Sequence, residues 1–286
     1  MRFGWLAEQR LSWFNLFQRA VAVQRLGYRS VWLSDHLIDD EGRWLLDCWT
    51  SAAGLAAVPD IEIGTLVAAN TLRHPAITAH LTRSLAQITG GRFVLGIGAG
   101  GSVEEHVAIG MPFPQLAERV ALLNEACAAI RGMLDGTPAD VAGKYYRLRM
   151  TGGDPTGVPL LVGGASRAVL EVAARHANRW TVWADPEGIA AGRAELATRC
   201  VAEGRDVRDI RCGAIVMVIP AHLPARESAE GWPAVLAGDA DAMQAQVRRY
   251  ANSGAEEIVV CDYAVEEEAR MQALQWFAEQ VVDQRP

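Results

Sequence analysis

Long apolar runs, paired cysteines and an excess of basic charge are all missing from these 286 residues. The longest apolar stretch, around Cys212 to Leu223, is interrupted by Gly213 and Pro220 and falls short of the ~20 residues that a membrane-spanning helix needs. The N-terminus runs from Met1-Arg2 into a strand-like Phe3-Gly4-Trp5-Leu6 with no apolar leader. Neither secretion nor membrane insertion is expected, and no membrane partner. Lys plus Arg number 27 against 34 Asp plus Glu, a net charge of −7. That balance argues against the basic face of a nucleic-acid binder. Cys48, Cys127, Cys200, Cys212 and Cys261 are odd in number and widely spaced, with no C-x-x-C pair. A disulfide framework or structural zinc site is therefore not expected, and a reduced, cytoplasmic compartment is. A G-x-S-x-G elbow is also lacking, which weakens a hydrolase reading.

What is present suits a folded core: 50% of the residues are apolar and 21% charged. The length fits two average domains or one α/β barrel of about 250 residues. Short apolar, β-branched or aromatic runs recur at Arg2–Leu6, Ser30–Ser34, Ile61–Val67, Arg92–Gly98, Val158–Gly163, Arg179–Ala184, Arg211–Ile219 and Glu257–Asp262. Most are apolar at successive positions, as in strands buried on both faces. Between them lie segments of helical period, near 12–26, 46–57, 75–88, 116–134, 166–177, 187–203, 239–253 and 265–281. In the fourth, Leu116, Val120, Leu123, Cys127, Ile130 and Leu134 fall on one face; in the first, Leu16, Ala20, Val23 and Leu26 do. Eight strand–helix units in strict alternation predict a (β/α)8 TIM barrel forming one domain over residues 1–286. A doubly wound open sheet is the competing arrangement. Two connections are long, Ala99–Gln115 and Asp135–Gly157, the second with a piece at Lys144–Arg149 suited to a small hairpin.

Barrel enzymes keep their chemistry at the C-terminal ends of the strands. After strand two stands Ser34-Asp35-His36. An imidazole there can exchange a proton near neutral pH, and the carboxylate can orient a ligand or tune the ring; the alternative is a capped turn with a surface histidine. After strand three come Ala69, Asn70 and Arg73-His74-Pro75, with no local chemical signal. After strand four, Gly96, Gly98 and Gly101 formally match G-x-G-x-x-G, but the next strand is too distant for a dinucleotide fold. Glu104, Glu105 and His106 follow; adjacent side chains diverge, so no metal is expected. After strand five, Gly163-Gly164-Ala165-Ser166-Arg167 opens a helix. Free N–H groups, a helix dipole, a hydroxyl and a guanidinium suit a phosphate there; a tight turn with a capped helix is the plainer alternative.

In order and spacing these segments resemble the bacterial luciferase-like flavin-dependent family. The resemblance rests on Gly27 to His36, Ile63 to Val67, Arg73-His74-Pro75-Ala76, Gly90 to Gly100, Glu104-Glu105, Gly110, Pro112-Phe113-Pro114, Arg119, Pro159 to Gly164 and Ala173-Ala174-Arg175. It is close over residues 1 to about 185 and looser beyond. It implies a barrel that binds FMN or the deazaflavin coenzyme F420 at the strands' C-terminal ends. The Ser-Asp-His triplet is most similar to the F420-dependent branch. There Asp35 would contact the cofactor and His36 would donate or accept the proton. Leu66–Val67 matches a peptide bond that is often cis behind the ring. Val67, Ala69, Ala99 and Gly100 match cofactor-lining positions, and Gly163, Gly164, Ser166 and Arg167 the phosphate-binding turn. The chain departs from the pattern at Gly101, where relatives often carry an aromatic or acidic residue, and in a short Pro220–Gly238 segment. The implied activity is F420-dependent hydride transfer to or from a small organic substrate. The alternatives are an FMN-dependent monooxygenase and a non-catalytic flavin-binding relative. Trp5, Trp13, Trp44 and Trp183 are candidates for an apolar substrate wall. By family analogy the partner is a second copy, a homodimer formed through outer helices near 44–57 and 75–88.

Overall fold

Every expected strand forms, and each pairs in parallel with the next. In the computed structural model, which describes residues 1–282 apart from 40, 151 and 226–230, the ring runs Arg2–Leu6, Ser30–Leu33, Glu62–Thr65, Phe93–Gly98, Leu160–Gly163, Arg179–Trp183, Arg211–Pro220 and Glu257–Cys261. The eighth strand returns to the first through the register Arg2↔Glu257 to Trp5↔Val260, which closes the barrel and excludes an open sheet. Helices Trp13–Arg25, Cys48–Leu55, Pro75–Ile88, Leu116–Leu134, Arg167–His176, Pro186–Ala202, Ala240–Asn252 and Arg270–Phe277 connect the strands.

Local chemistry explains where the helices begin. Ser12, Asp47, Ser166, Asp185 and Asp239 each accept a backbone N–H from three residues ahead, and Pro75 and Pro186 take first-turn positions where no N–H is missed. The last helix is shorter than its periodicity predicts: it starts at Arg270, after a tight turn at Glu267–Ala269, and continues into a wider turn at Ala278–Val282. Three additions lie in the connections. Ala139–Ala142 and Arg147–Met150 form the small antiparallel hairpin. Val103–Ala108 forms a short helix in the loop after strand four. Val235–Gly238 lines up parallel to the extended end of the seventh strand, within the segment that the sequence reads as a loop.

The core has two compartments. Between strands and helices lies the larger one, including Leu16, Ala20 and Val23 of the first helix and Val120, Leu123, Cys127, Ile130 and Leu134 of the fourth. Leu116 breaks that face, being exposed at the helix start. All five cysteines are buried free thiols. Inside the barrel, Leu6, Trp32, Leu66, Val94, Leu161, Ile215, Met217 and Val259 stack together. Trp32 fits because Gly4 and Gly64 face it: a Cβ at Gly64 would stand 2.7 Å from the indole Cε3, and one at Gly4 2.9 Å from Nε1. The indole donates to Ser30 Oγ at 2.9 Å, and Ser30 donates to Glu257 at 2.6 Å. Arg179 grips Glu62 with two bonds of 2.5 and 2.7 Å, sealing the N-terminal end with paired charge.

The opposite end carries a buried charged cluster. Glu8 pairs with Arg19 at 3.2 Å and with Arg270, while Asp262 lies fully buried 3.8 Å from Arg19. Among the described residues neither Asp262 oxygen has a hydrogen-bond partner. Burial pushes its carboxyl up to about 6, only partly opposed by Arg19.

Two outcomes follow from these packings. Gly64→Ala drives a methyl into a rigid indole and should cost about 1–3 kcal/mol, read from urea unfolding. The raised pKa of Asp262 makes the folded chain hold its proton more tightly than the unfolded one. The resulting stability is complete below about pH 4 and is lost as pH rises through about 6, by at most about 3 kcal/mol. Asp262→Asn, neutral throughout, should therefore melt above the parent at pH 8 and converge with it near pH 4, as measured by thermal denaturation across that range.

Candidate functional site

The loops following strands two to five, with Thr181–Trp183 of strand six and Ile215 of strand seven, surround a cavity of about 440 Å³. Asp35, His36, Leu66, Val67, Ala69, Ala99, Gly100, Gly163, Gly164 and Ser166 all line it. Arg167 does not. One residue into the helix, its guanidinium turns to the outside and meets Glu195 at 3.1 Å, with 80% of the side chain exposed.

The floor of the cavity is a shelf. The Leu66–Val67 peptide bond is cis, and the chain then rejoins the fourth strand through Ala68↔Ile97 and Ala69↔Gly98. Val67 lies between Gly98 and Gly163; a Cβ at either would approach a Val67 methyl to 2.7 Å. Glycine at those two places is thus what lets the strands close around the shelf. Asp35 braces it from below. Its carboxylate accepts from the Ala69 N–H at 3.0 Å, from Cys48 Sγ at 3.2 Å and from Arg73. Burial and the neighbouring Asp35 charge push the Cys48 thiol well up, so it stays protonated and donates. Asp35, Asp47 and Cys48 stand close enough together to resemble a metal-ligand group. Arg73 already serves as their cation: it binds Asp35, reaches Asp47 at 3.8 Å and lies over the Trp49 ring.

His36 belongs to a different network. Its Nδ1 is 3.0 Å from Glu105 Oε2, while Glu105 Oε1 accepts the Leu37 and Ile38 N–H groups at 2.7 and 3.2 Å. A carboxylate only accepts, so the imidazole proton sits on Nδ1 and Nε2 is left as the ring's acceptor. Glu105 is 5% exposed. In the sequence it is weighed with Glu104 and His106 only as a discounted metal ligand. The available signal was Ser102-x-x-Glu105, a capping-box spacing: Ser102 caps the short helix Val103–Ala108 and accepts from the Glu105 N–H at 3.2 Å. His106, which the sequence offers only as a discounted metal ligand, is a second such residue. It lines the same cavity, holds the Ser102 carbonyl at 2.6 Å through Nδ1 and stacks on Phe113.

The other end of the cavity is a helix N-terminus, which could hold an anion. Trp180 Nε1 donates to the Gly164 carbonyl at 2.8 Å, fixing the turn, and Ser166 Oγ caps the helix by accepting from Val169 N–H. The remaining first-turn N–H groups have no partner within the helix and carry its positive dipole end. An apolar shelf at one end and a helix N-terminus at the other fit a planar heterocycle with a phosphorylated tail, the shape common to FMN and F420.

A second cavity of about 570 Å³ adjoins the first, and His36 is the residue that lines both. Trp183 on the first cavity and Trp232 on the second lie 5.7 Å apart, centroid to centroid. Of the four tryptophans expected as a wall, only Trp183 faces the first cavity. Trp5 is fully buried in the strand–helix layer, Trp13 packs on Phe17 and over Gly54, and Trp44 is exposed. Within the Pro220–Gly238 segment, residues 226–230 lie outside the described residues.

The family model for luciferase-like monooxygenases matches residues 1–282. An F420-dependent glucose-6-phosphate dehydrogenase of Nakamurella multipartita is 33% identical over 62% of this chain and 55% of its own length. The chain thus spans little more than half of that relative. An F420-dependent hydroxymycolic acid dehydrogenase of Mycobacterium tuberculosis is 28% identical over 91% of this chain and 74% of its own. Among solved structures, an F420-dependent secondary alcohol dehydrogenase superposes with a TM-score of 0.82 at 17% identity, covering 100% of this chain and 99% of the other. A long-chain alkane monooxygenase superposes equally well, at 0.82 and 13% identity over 99% and 90% of the two chains. The barrel, its cis shelf and the match along nearly the whole sequence have one reading: this chain belongs to the luciferase-like monooxygenase family.

Proposed function

We propose that the chain is an oxidoreductase that uses coenzyme F420 to move a hydride to or from a small organic molecule. One observation carries the reading: His36, held by Glu105, is the residue common to a cavity shaped for a flat phosphorylated cofactor and to a second, roomier one. The choice of F420 is supported by the names of the curated relatives. When bound, the deazaflavin would supply a two-electron hydride carrier. The chain would supply the rest. Val67, flanked by Gly98 and Gly163, would support the ring, with Ala99 and Gly100 beside it. Gly163, Gly164 and Ser166 would receive the phosphate. Asp35 would keep the shelf in place, and His36 Nε2 would take or give the proton that accompanies the hydride. The imidazole is 48% exposed on its side chain, so a substrate can reach it.

FMN-dependent monooxygenation is the second reading, favoured by the description of the matching family. The proposal extends to one domain over residues 1–286 and to a cytoplasmic setting, which the five free thiols support. A homodimer through the outer helices near 44–57 and 75–88 is supported by the exposed Trp44, Ile77 and Ile88.

Titration of the purified chain with F420 and with FMN should give saturable binding of F420 alone; the reverse result selects the monooxygenase. His36→Ala should lower the rate of F420 reduction or oxidation by about 10²–10⁴ and leave the cofactor Kd within about twofold. An unchanged rate removes His36 from the chemistry.

A further inference from the structure

We propose that the second cavity receives an uncharged cyclic or aromatic organic molecule and disfavours phosphorylated sugars. The inference deepens the redox reading above, on which its chemistry rests, while its charge argument stands on the cavity alone.

Trp232, Tyr263, Leu45 and Ile38 supply broad apolar and aromatic surface. The polar groups around them are already occupied. Gln9 donates to the Leu46 carbonyl at 2.7 Å and accepts from the Ser34 N–H and Oγ at 2.8 and 3.0 Å. Tyr263 donates its hydroxyl to the Ala7 carbonyl at 2.8 Å. A phosphate needs an available guanidinium, ammonium or helix N-terminus. Arg10 faces Asp39 at 3.1 Å. Arg270, 2% exposed, divides its guanidinium among Glu8 and the carbonyls of Val265 and Tyr263. Among the described residues, no guanidinium lining this cavity is without a carboxylate partner. Glu8, Asp39 and Glu41 outnumber Arg10 and Arg270, and the adjoining hollow adds Glu266, Glu267 and Glu268 against Arg43. A dianion would enter against a negative field and find no cation to spare.

His36 is a polar contact that this lining offers to a substrate oxygen. For an alcohol, the O–H proton would pass to His36 Nε2 while the carbinol C–H leaves as hydride to the oxidised deazaflavin, and a ketone results. Two electrons and one proton would go to the carrier as hydride, and the second proton to the imidazole.

Calorimetric titration with cyclohexanol, glucose and glucose 6-phosphate, on the cofactor-free and the F420-loaded chain, tests the inference. Cyclohexanol should bind in the millimolar range or tighter, and glucose 6-phosphate should give no binding heat at about 10 mM. Trp232→Ala should weaken cyclohexanol binding roughly tenfold and leave F420 affinity within about twofold. Glucose 6-phosphate binding as tight as that of cyclohexanol, or no cyclohexanol binding in either form, overturns the inference. Failure of F420 to bind counts against the redox reading instead, because the charge preference is measured without cofactor.

Discussion

One buried carboxylate organises the C-terminal end of this barrel. Glu105 receives the imidazole of His36 and the backbone N–H groups of Leu37 and Ile38, joining the loop after strand two to the loop after strand four. Charge-assisted bonds of this kind are each worth about 1.5–3 kcal/mol, and a buried donor left without an acceptor costs a comparable amount. The loop carrying His36 therefore has a single well-satisfied position. Without that clamp the histidine would be an ordinary half-exposed side chain. With it, the ring is presented in one tautomer where two cavities meet.

Asp35 and His36 are neighbours in sequence and separate in task. At the end of an extended strand, consecutive side chains point to opposite sides. Asp35 turns down into a buried knot with Arg73, Cys48 and the Ala69 N–H, and that knot supports the Leu66–Val67 shelf. His36 turns up toward solvent and the second cavity. Arg73 pairs with both Asp35 and Asp47, so one guanidinium offsets one of the two carboxylate charges beneath the Leu66–Val67 shelf. Paired charge recurs on the far wall, where Glu8, Arg19, Arg270 and Asp262 are shut away from water. Both clusters keep charge next to the cavities internally paired, and His36 and the helix N-terminus at Ser166 are among the polar features that face them.

Much of this architecture was legible in the linear chain. Strand and helix positions agree closely with the reading because strands buried on both faces leave unbroken apolar runs and outer helices leave a 3.6-residue period. Ten of the eleven residues named for the site line one cavity, because strand-end loops converge in any closed barrel. The misreadings share a cause. Arg167 was placed at the anion turn for its charge, but the first residue of a helix can point outward, and Glu195 on the next helix captures it. Glu105 was passed over because a buried acid looks like a surface acid until its donors are known. Val235–Gly238 is too short to read as a strand and exists because the seventh strand extends beyond the ring and offers it an edge.

Composition, periodicity and the placement of glycines determined that this chain closes into a parallel barrel with a Gly-Gly turn and a capped helix after strand five, because those properties follow from local propensity and from which faces must be buried. Which side chains meet was decided only in three dimensions. His36 and Glu105, or Trp183 and Trp232, lie far apart along the chain, and their encounter depends on how loops from different strands are brought over the same opening.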